Sequence, residues 1–521
     1  MTFHPSTSEV LELAVEAGER WWGGSVDDGL SMPFGARPFA RDLAAPREPL
    51  GPSNQSAPVL LSTRGAGGVV GAAVRVLLRG RCPAAVGGAA SRSAGRAARC
   101  ARLSCRPRGA SSRRPGGPPA RALFSGPQYN TWIEHPYTPT QDGVLRFARD
   151  LLEGGMPPGV VLIDDLWAED YGTWRFDRAR FPDPAAMVAE LHALGCSVMV
   201  WVVPFVSPDS AVFRELEGRG LLLRDAAGET AIRRWWNGFS ATLDLTHPGA
   251  VAWITGRLDA LVEETGIDGF KFDAGDVRDY RAGDRTAEPA EPVDLCEAWA
   301  RVGLRYPYNE FRACWRMGGQ PLVQRLQDKP PLWGPSGIGS LIPEMLAQGM
   351  IGHPFVCPDM IGGGEIGSVS AQGATDQEFF VRYAQIAALS PIMQFSVLPT
   401  RVLDPVHLAA VRDALAVRAS LLPRILDLVD HAAATGEPIV RPMAYHAAGS
   451  DDDSADVTDQ FFLGPDLIVA PVIAQGATAR TVVLPEGRWR ADDGTVLEGP
   501  AQVTVPCDLT RLPRFERLPA G

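Results

Sequence analysis

From residue 128 onward, short continuous apolar runs alternate with longer stretches of helical spacing. The runs 159–165 (GVVLIDD), 197–203 (SVMVWVV) and 269–272 (GFKF) have the length and character of strands buried on both faces. Between them, 142–153, 187–194 and 248–264 place apolar residues on one stripe, as Val251, Ile254, Leu258 and Leu261 do in the last. Residues 128–134, 308–314, 352–359 and 391–396 read as further strands, a weakly marked sixth falls near Gln324, and 405–434 predicts a closing helix. Such alternation predicts an α/β fold with a parallel sheet, a (β/α)8 TIM barrel over residues 124–435.

The pattern changes after Gly436. Short β-rich runs at 461–463, 467–472, 481–484 and 503–506, separated by turn residues such as Gly464-Pro465-Asp466, predict a C-terminal antiparallel β-sandwich domain over 436–521. Ahead of the barrel, residues 1–63 read as an incomplete N-terminal β-rich region, punctuated by Trp21, Trp22, Phe34 and Phe39. Residues 64–123 form a low-complexity segment rich in Arg, Ala and Gly. From Arg64 to Arg121 there are 13 Arg but no Lys, acid or aromatic residue, a composition that cannot bury enough surface to fold alone. A basic tract for acidic partners is one reading; a compensated frameshift in GC-rich coding sequence is the favoured one, because ordinary patterning resumes at Phe124.

Composition narrows the function. With 521 residues and 45% hydrophobic content, the chain can hold a barrel of ~250 residues and more besides. A net charge of −11 argues against nucleic-acid or anionic-membrane partners. No secretory signal is read in residues 1–30, no apolar run is long enough to span a bilayer, and the scattered cysteines suit a reducing compartment, so a cytoplasmic location is expected. With eight histidines and no His-x-His strand, neither a metal nor a cofactor is expected.

The chemistry gathers at strand ends. Asp164, Asp165, Asp273 and Asp359 each follow a predicted strand, and Asp328 lies in a loop. Tyr129, Trp132, Trp167, Trp201, Trp236 and Trp315 accompany them. Carboxylates that bind hydroxyls, with ring faces that stack on C–H surfaces, suit an oligosaccharide or glycoside. Two acids across a glycosidic bond suffice for its hydrolysis. Lys271, two residues before Asp273 on one strand, points to the same side and either holds that carboxylate ionised or binds a sugar hydroxyl. Asp273 taken alone could instead cap the next helix.

Six stretches in order, QYNTWIE, VLIDDLWAEDYGTWRFDRARFPDP, WVVPFVSPDS, DGFKFDAGD, NEFRACWRMGGQPLVQRLQDK and PFVCPDMIGGG, together resemble glycoside hydrolase family 31, and within it the myogenesis-regulating-glycosidase subgroup with its bacterial relatives. That resemblance implies a retaining α-glycosidase with Asp273 as nucleophile and Asp328 as general acid/base. It implies Arg312 as a ligand near the reacting sugar, Asp164 and Asp359 as binders of its hydroxyls, and Trp201, Trp236 and Lys271 as walls of the same subsite. Asp165 joins the substrate-binding set, and Asp276 is read as supporting its neighbours. Asp276 and Glu310 are other acids in the part of the chain that supplies Asp328. The sequence departs from the common α-glucosidases of the family: FKFDAGD replaces their Trp-x-Asp-Met-Asn-Glu strand, and RLQDK their Trp-x-Gly-Asp motif. A Lys-x-Asp strand is similar to α-galactosidases of related barrel families, which puts α-galactosides first and α-glucosides or α-xylosides second. A sugar-binding homologue with impaired catalysis is the rival reading.

Overall fold

The computed structural model of the chain describes residues 9–15, 19–35, 39–43, 55–63, 67–69, 74–80, 117–365, 375–446 and 453–519. Its centre is a parallel sheet whose strands follow the order read from the sequence. They are Gln128–Asn130, Val160–Ile163, Ser197–Val202, Gly269–Phe272, Tyr308–Phe311, Gln324–Arg325, Val356–Cys357 with Met360–Ile361, and Gln394–Phe395. The ladder counts nine pieces, and its two end pieces, Val356–Cys357 and Met360–Ile361, flank the same Pro358-Asp359. The first pairs with Gln324–Arg325 and the second with Gln394–Phe395. The sheet thus returns to its starting segment, and the seventh strand, split by an Asp359 with φ of 72°, closes an eight-position barrel.

Local chemistry explains the helices. Gln141–Glu153 starts where Thr140 Oγ1 accepts from the Gly143 amide, and Pro184–Ala193 where Asp183 accepts from Ala186. Pro248–Thr265 and Pro405–Thr435 begin with proline at the first turn and end at left-handed Gly266 and Gly436, φ 78° and 79°. On the inward stripe of Pro248–Thr265, Ile254, Leu258 and Leu261 are buried, joined by Trp253, while Val251 is only half-buried. Along Gly269–Phe272, Phe272 turns outward against Phe311 and Trp299 (ring centroids 5.1 and 5.2 Å), leaving Lys271 inside the barrel. At the other end of the barrel the buried Arg418 guanidinium donates to the carbonyls of Phe124, Ala388, Ser390 and Pro391, tying the barrel's first residues to its last strand.

Past Gly436 an antiparallel domain is built on a six-stranded sheet. Its long hairpin, Ala479–Ala491 with Val496–Pro506, shifts register between Leu484 and Gly487. In front of the barrel, Trp21–Ser25, Phe39–Asp42 and Gln55–Ser62 are strands, as the β-rich reading expects. The Arg-rich segment also supplies two: Gly67–Val69 pairs with 59–61, and Val74–Gly80 lies between Glu9–Val15 and Phe39–Asp42. The β-rich front region therefore runs to Gly80, beyond the boundary read at 63, because these strands are completed by partners from outside the segment. Residues 81–116, the rest of that segment up to Gly117, lie outside the described residues.

One predicted strand divides. Residues 308–314 read as one run, but Tyr308–Phe311 stays in the barrel while Cys314–Trp315 pairs with Gln55–Ser62 of the front region. The barrel ladder between fifth and sixth strands reaches only Phe311 opposite Gln324, so the chain beyond Phe311 offers a free edge, which the front strand takes.

Candidate active site

The strand ends surround a cavity of about 400 Å³. Asp164, Asp165, Trp201, Trp236, Lys271, Asp273, Arg312 and Asp328 all line it. They come from five places along the sheet: the ends of the second, third and fourth strands, the segment after the fifth, and the loop after the sixth. Trp236 arrives separately, on the turn of the hairpin Ile232–Trp235 and Gly238–Thr242.

Asp273 is the most heavily bonded of these groups. Its Oδ1 accepts from Arg312 Nε (2.5 Å) and the Ala274 amide (2.8 Å), and its Oδ2 from Trp201 Nε1 (2.8 Å). Lys271 Nζ stands 3.7 Å away and donates to Asp164 Oδ2 at 2.8 Å. Burial works to raise the Asp273 pKa, but the Arg312 guanidinium, with Lys271 and Arg325 behind it, holds the carboxyl well below the usual range, so it is ionised. Lys271 is held charged in the same way: burial disfavours its ammonium, and Asp164 and Asp273 more than restore it. In the ladder Lys271 stands opposite Trp201 on one side and Glu310 on the other, which sets these three at one level of the barrel. Arg312 also donates to Asp276 Oδ2 (3.1 Å) and lies over the Trp236 ring (5.2 Å to the centroid), so Asp276 supports Arg312 from outside the cavity.

Asp328 is held differently. Its side chain is 38% exposed, and Oδ1 accepts from Arg325 Nη1 at 2.8 Å. Arg325 is buried, and it is shared: the same nitrogen donates to Asp359 Oδ1, and Nε lies 3.3 Å from Glu310 Oε1. Asp359, expected to bind a sugar hydroxyl, does not line the cavity. It is fully buried beneath it, where Oδ1 takes Arg325 and Oδ2 the Lys329 amide (2.8 Å) and the Tyr383 hydroxyl (3.4 Å). The split seventh strand turns it inward to the arginine, leaving no face for a ligand. Burial raises its pKa to about 7 against the pull of Arg325, with Asp328 adding to the rise.

Asp165 lies beside Asp164 and accepts from the Tyr171 hydroxyl (3.0 Å), from Asn237 of the hairpin turn and from the Leu166 amide (2.7 Å). Burial, then the neighbouring Asp164, raises it to about 7 despite those donors. Leu166 and Ala274, directly after Asp165 and Asp273, both have positive φ (63° and 49°) and return their amides to the preceding carboxylate. Strained backbone of this kind concentrates at ligand sites and costs about 1–3 kcal/mol per residue.

Sequence reasoning missed Arg278, Tyr137 and Glu365, which complete the lining, and Arg325. Arg325 carries a usable signal: an arginine on a barrel strand must be paired, and Asp328 follows at three residues. Of the aromatic residues grouped from sequence, Trp132, Trp201 and Trp236 reach the cavity, while Tyr129, Trp167 and Trp315 are packed in cores. Among the described residues no group of three or more His, Cys, Asp and Glu is placed to hold a metal ion.

The chain is 35% identical over 421 residues to the myogenesis-regulating glycosidase of Mus musculus, covering 77% of this chain and 57% of that one. It is 27% identical to the alpha-xylosidase XylQ of Lactiplantibacillus pentosus, covering 71% and 50%. The chain therefore spans about half the length of these relatives. A GH31 dextranase of Flavobacterium johnsoniae, complexed with glucose, superposes with a TM-score of 0.79 over 96% of this chain and 65% of its own, at 18% identity, a likeness of fold. The glycosyl hydrolases family 31 TIM-barrel model matches residues 122–313 and that family's C-terminal domain model residues 436–518, so this chain belongs to glycosyl hydrolase family 31.

Proposed function

We propose that the chain is a retaining α-glycoside hydrolase in which Asp273 is the nucleophile and Asp328 the general acid/base. The observation that carries this reading is the pair itself: an ionised, fully engaged carboxylate and a half-exposed one line a single cavity. Asp273 attacks the anomeric carbon as Asp328 gives its proton to the departing oxygen, leaving a glycosyl ester on Asp273. Asp328, now a carboxylate, takes a proton from water, which attacks the same carbon and frees Asp273. Two inversions restore the α configuration. Arg312 and Trp201, already bonded to Asp273, orient its attacking oxygen, and Lys271 with Asp164 offers a donor and an acceptor to ring hydroxyls.

The lining carries five acidic side chains (Asp164, Asp165, Asp273, Asp328, Glu365), one of them, Asp165, with its pKa raised to about 7, against three cations (Lys271, Arg278, Arg312), which favours a neutral sugar over a carboxylated or sulfonated one. Lys271 inside the cavity, two residues before Asp273, supports an α-galactoside as the preferred substrate; the α-xylosidase relative keeps α-xylosides and α-glucosides as the second reading. Hydrolysis of aryl α-galactoside, α-glucoside and α-xyloside, followed by NMR, tests both points. The α-anomer is expected to appear first, from the galactoside fastest; release of the β-anomer overturns the nucleophile assignment. A sugar-binding homologue without catalysis would hydrolyse none of the three while retaining affinity for the sugar.

A further inference from the structure

Gln55 belongs to the front region, at the start of strand Gln55–Ser62, and is buried. It stands opposite Cys314 in the parallel pairing that takes up the free edge after the fifth barrel strand. Its amide nitrogen donates to two backbone oxygens, that of Arg312 at 2.8 Å and that of Arg325 at 2.6 Å. Its amide oxygen accepts from Gln348 Nε2 at 2.5 Å, on helix Ile338–Met350. One side chain therefore bridges the fifth and sixth strands at the point where their own ladder has run out, since that ladder is the single pair Phe311 and Gln324.

The two bridged residues are those whose guanidiniums hold the two carboxylates. Arg312 bonds Asp273, and Arg325 bonds Asp328. Neither arginine can move its backbone without carrying its carboxylate along, because both guanidiniums are buried and engaged on more than one acid. We propose that Gln55 is a positioning residue of the active site: by joining the backbones of Arg312 and Arg325 it fixes the separation between Asp273 and Asp328. The proposal rests on the double-displacement reading above. It makes the front β region part of the catalytic apparatus, although Gln55 does not line the cavity.

A retaining mechanism needs the two carboxyl groups about 5–5.5 Å apart, and displacement by about 1 Å can cost on the order of 10²-fold in rate. The cost falls unevenly. A sugar leaving as an alcohol needs the Asp328 proton in the bond-breaking step, whereas dinitrophenolate leaves without it. Displacing Asp328 relative to Asp273 therefore slows the first far more than the second; general loosening slows both alike.

The test uses the full chain with Gln55→Met, which keeps the length and loses the donors, and Gln55→Glu, which sets a carboxylate against the two carbonyls. The substrates are a methyl glycoside and a 2,4-dinitrophenyl glycoside of the sugar that the aryl panel identifies. For Gln55→Met, kcat/KM on the methyl glycoside is expected to fall on the order of 10²-fold, and on the dinitrophenyl glycoside by less than about tenfold; Gln55→Glu should widen the gap. Equal losses on the two substrates, or no loss on either, in a variant that melts cooperatively, overturn the proposal. If neither variant folds, Gln348→Met, which removes the group holding the Gln55 oxygen, carries the test with the same bias at smaller size, and equal losses there overturn it too. Full activity in Asp273→Ala would instead sink the double-displacement reading, so the two failures are told apart.

Discussion

The two sides of the cavity hold their carboxylates in opposite ways. Around Asp273, donors from three neighbouring strand ends converge on one acid: Trp201, Lys271 and Arg312, with the Ala274 amide beside them. Around Asp328, among the described residues, one guanidinium is paired directly, and it is divided with Asp359, while the side chain stays 38% open to water. The difference matches the two tasks proposed for them. A nucleophile must be ionised and aimed when it attacks, which surplus donors in a buried site ensure. An acid/base must lose and regain a proton each turnover, which exposure and partial pairing permit. Replacing each acid in turn puts that contrast at risk. Asp273→Ala is expected to lower kcat on every substrate by on the order of 10⁴-fold or more, measured on the aryl glycosides; activity above a tenth of the starting value would remove Asp273 from the mechanism. Asp328→Ala should cost about 10²–10⁴-fold on an alkyl glycoside and much less in the first step on a dinitrophenyl glycoside. A burst of dinitrophenolate before slow turnover would show the stranded glycosyl ester, and its absence together with equal losses would move the acid/base role elsewhere.

The contrast also explains what the sequence disclosed. The Asp273 side was legible because its elements are long, local and continuous: a helix stripe, the run Gly269–Phe272, then an acid followed by small residues. Lys271 and Asp273 share a face by strand alternation alone, and the cavity contains both. The Asp328 side was legible only in outline. Its strands are two-residue pieces, Gln324–Arg325 and Val356–Cys357, too short to mark a period, so the sixth strand was barely visible. Asp359 was misplaced for the same reason: it follows an apolar run as a strand-end acid should, but the positive φ at that residue splits the strand and directs the side chain to Arg325. No spacing rule could reveal that a front-region glutamine would reach the carbonyls of two barrel arginines, since 257 and 270 positions separate it from them.

A smaller effect, on stability, comes from the divided guanidinium. Arg325 is the cation facing Glu310 and Asp359, both fully buried, as well as Asp328. Arg325→Met should destabilise the fold by about 3–5 kcal/mol, read from denaturant unfolding, because buried Asp359 loses its cation and buried Glu310 one of two, Lys271 being the other. Adding Asp359→Asn to that variant should recover part of the loss, the stranded charge having been removed with its partner. A double variant no more stable than the single one would mean that Arg325 stabilises mainly by packing. Arg312→Met would take one cation from each of Asp273 and Asp276, leaving them Lys271 and Arg278, and is expected to abolish activity outright.

The smallest effect tests the two kinds of acid against pH. Asp273 has a depressed pKa, so its stabilising pairs are present above the unfolded-state value and lost only in acid. Asp165 has the reverse shift, from 3.8 to about 7, driven by burial and then by Asp164. Its folded form keeps a proton that the unfolded chain releases, so between about pH 4 and pH 7 folding binds a proton and stability falls as pH rises. Asp165→Asn carries no ionisable group there and keeps an oxygen for Tyr171 or Asn237 to bond. Its Tm should therefore decline less between pH 5 and pH 8 than that of the unaltered chain, with the two curves converging toward pH 4. Tyr171→Phe removes a donor that lowers the Asp165 pKa, and should push the decline toward higher pH. Parallel curves for Asp165→Asn and the unaltered chain would show that Asp165 is ionised throughout and carries its charge into the cavity.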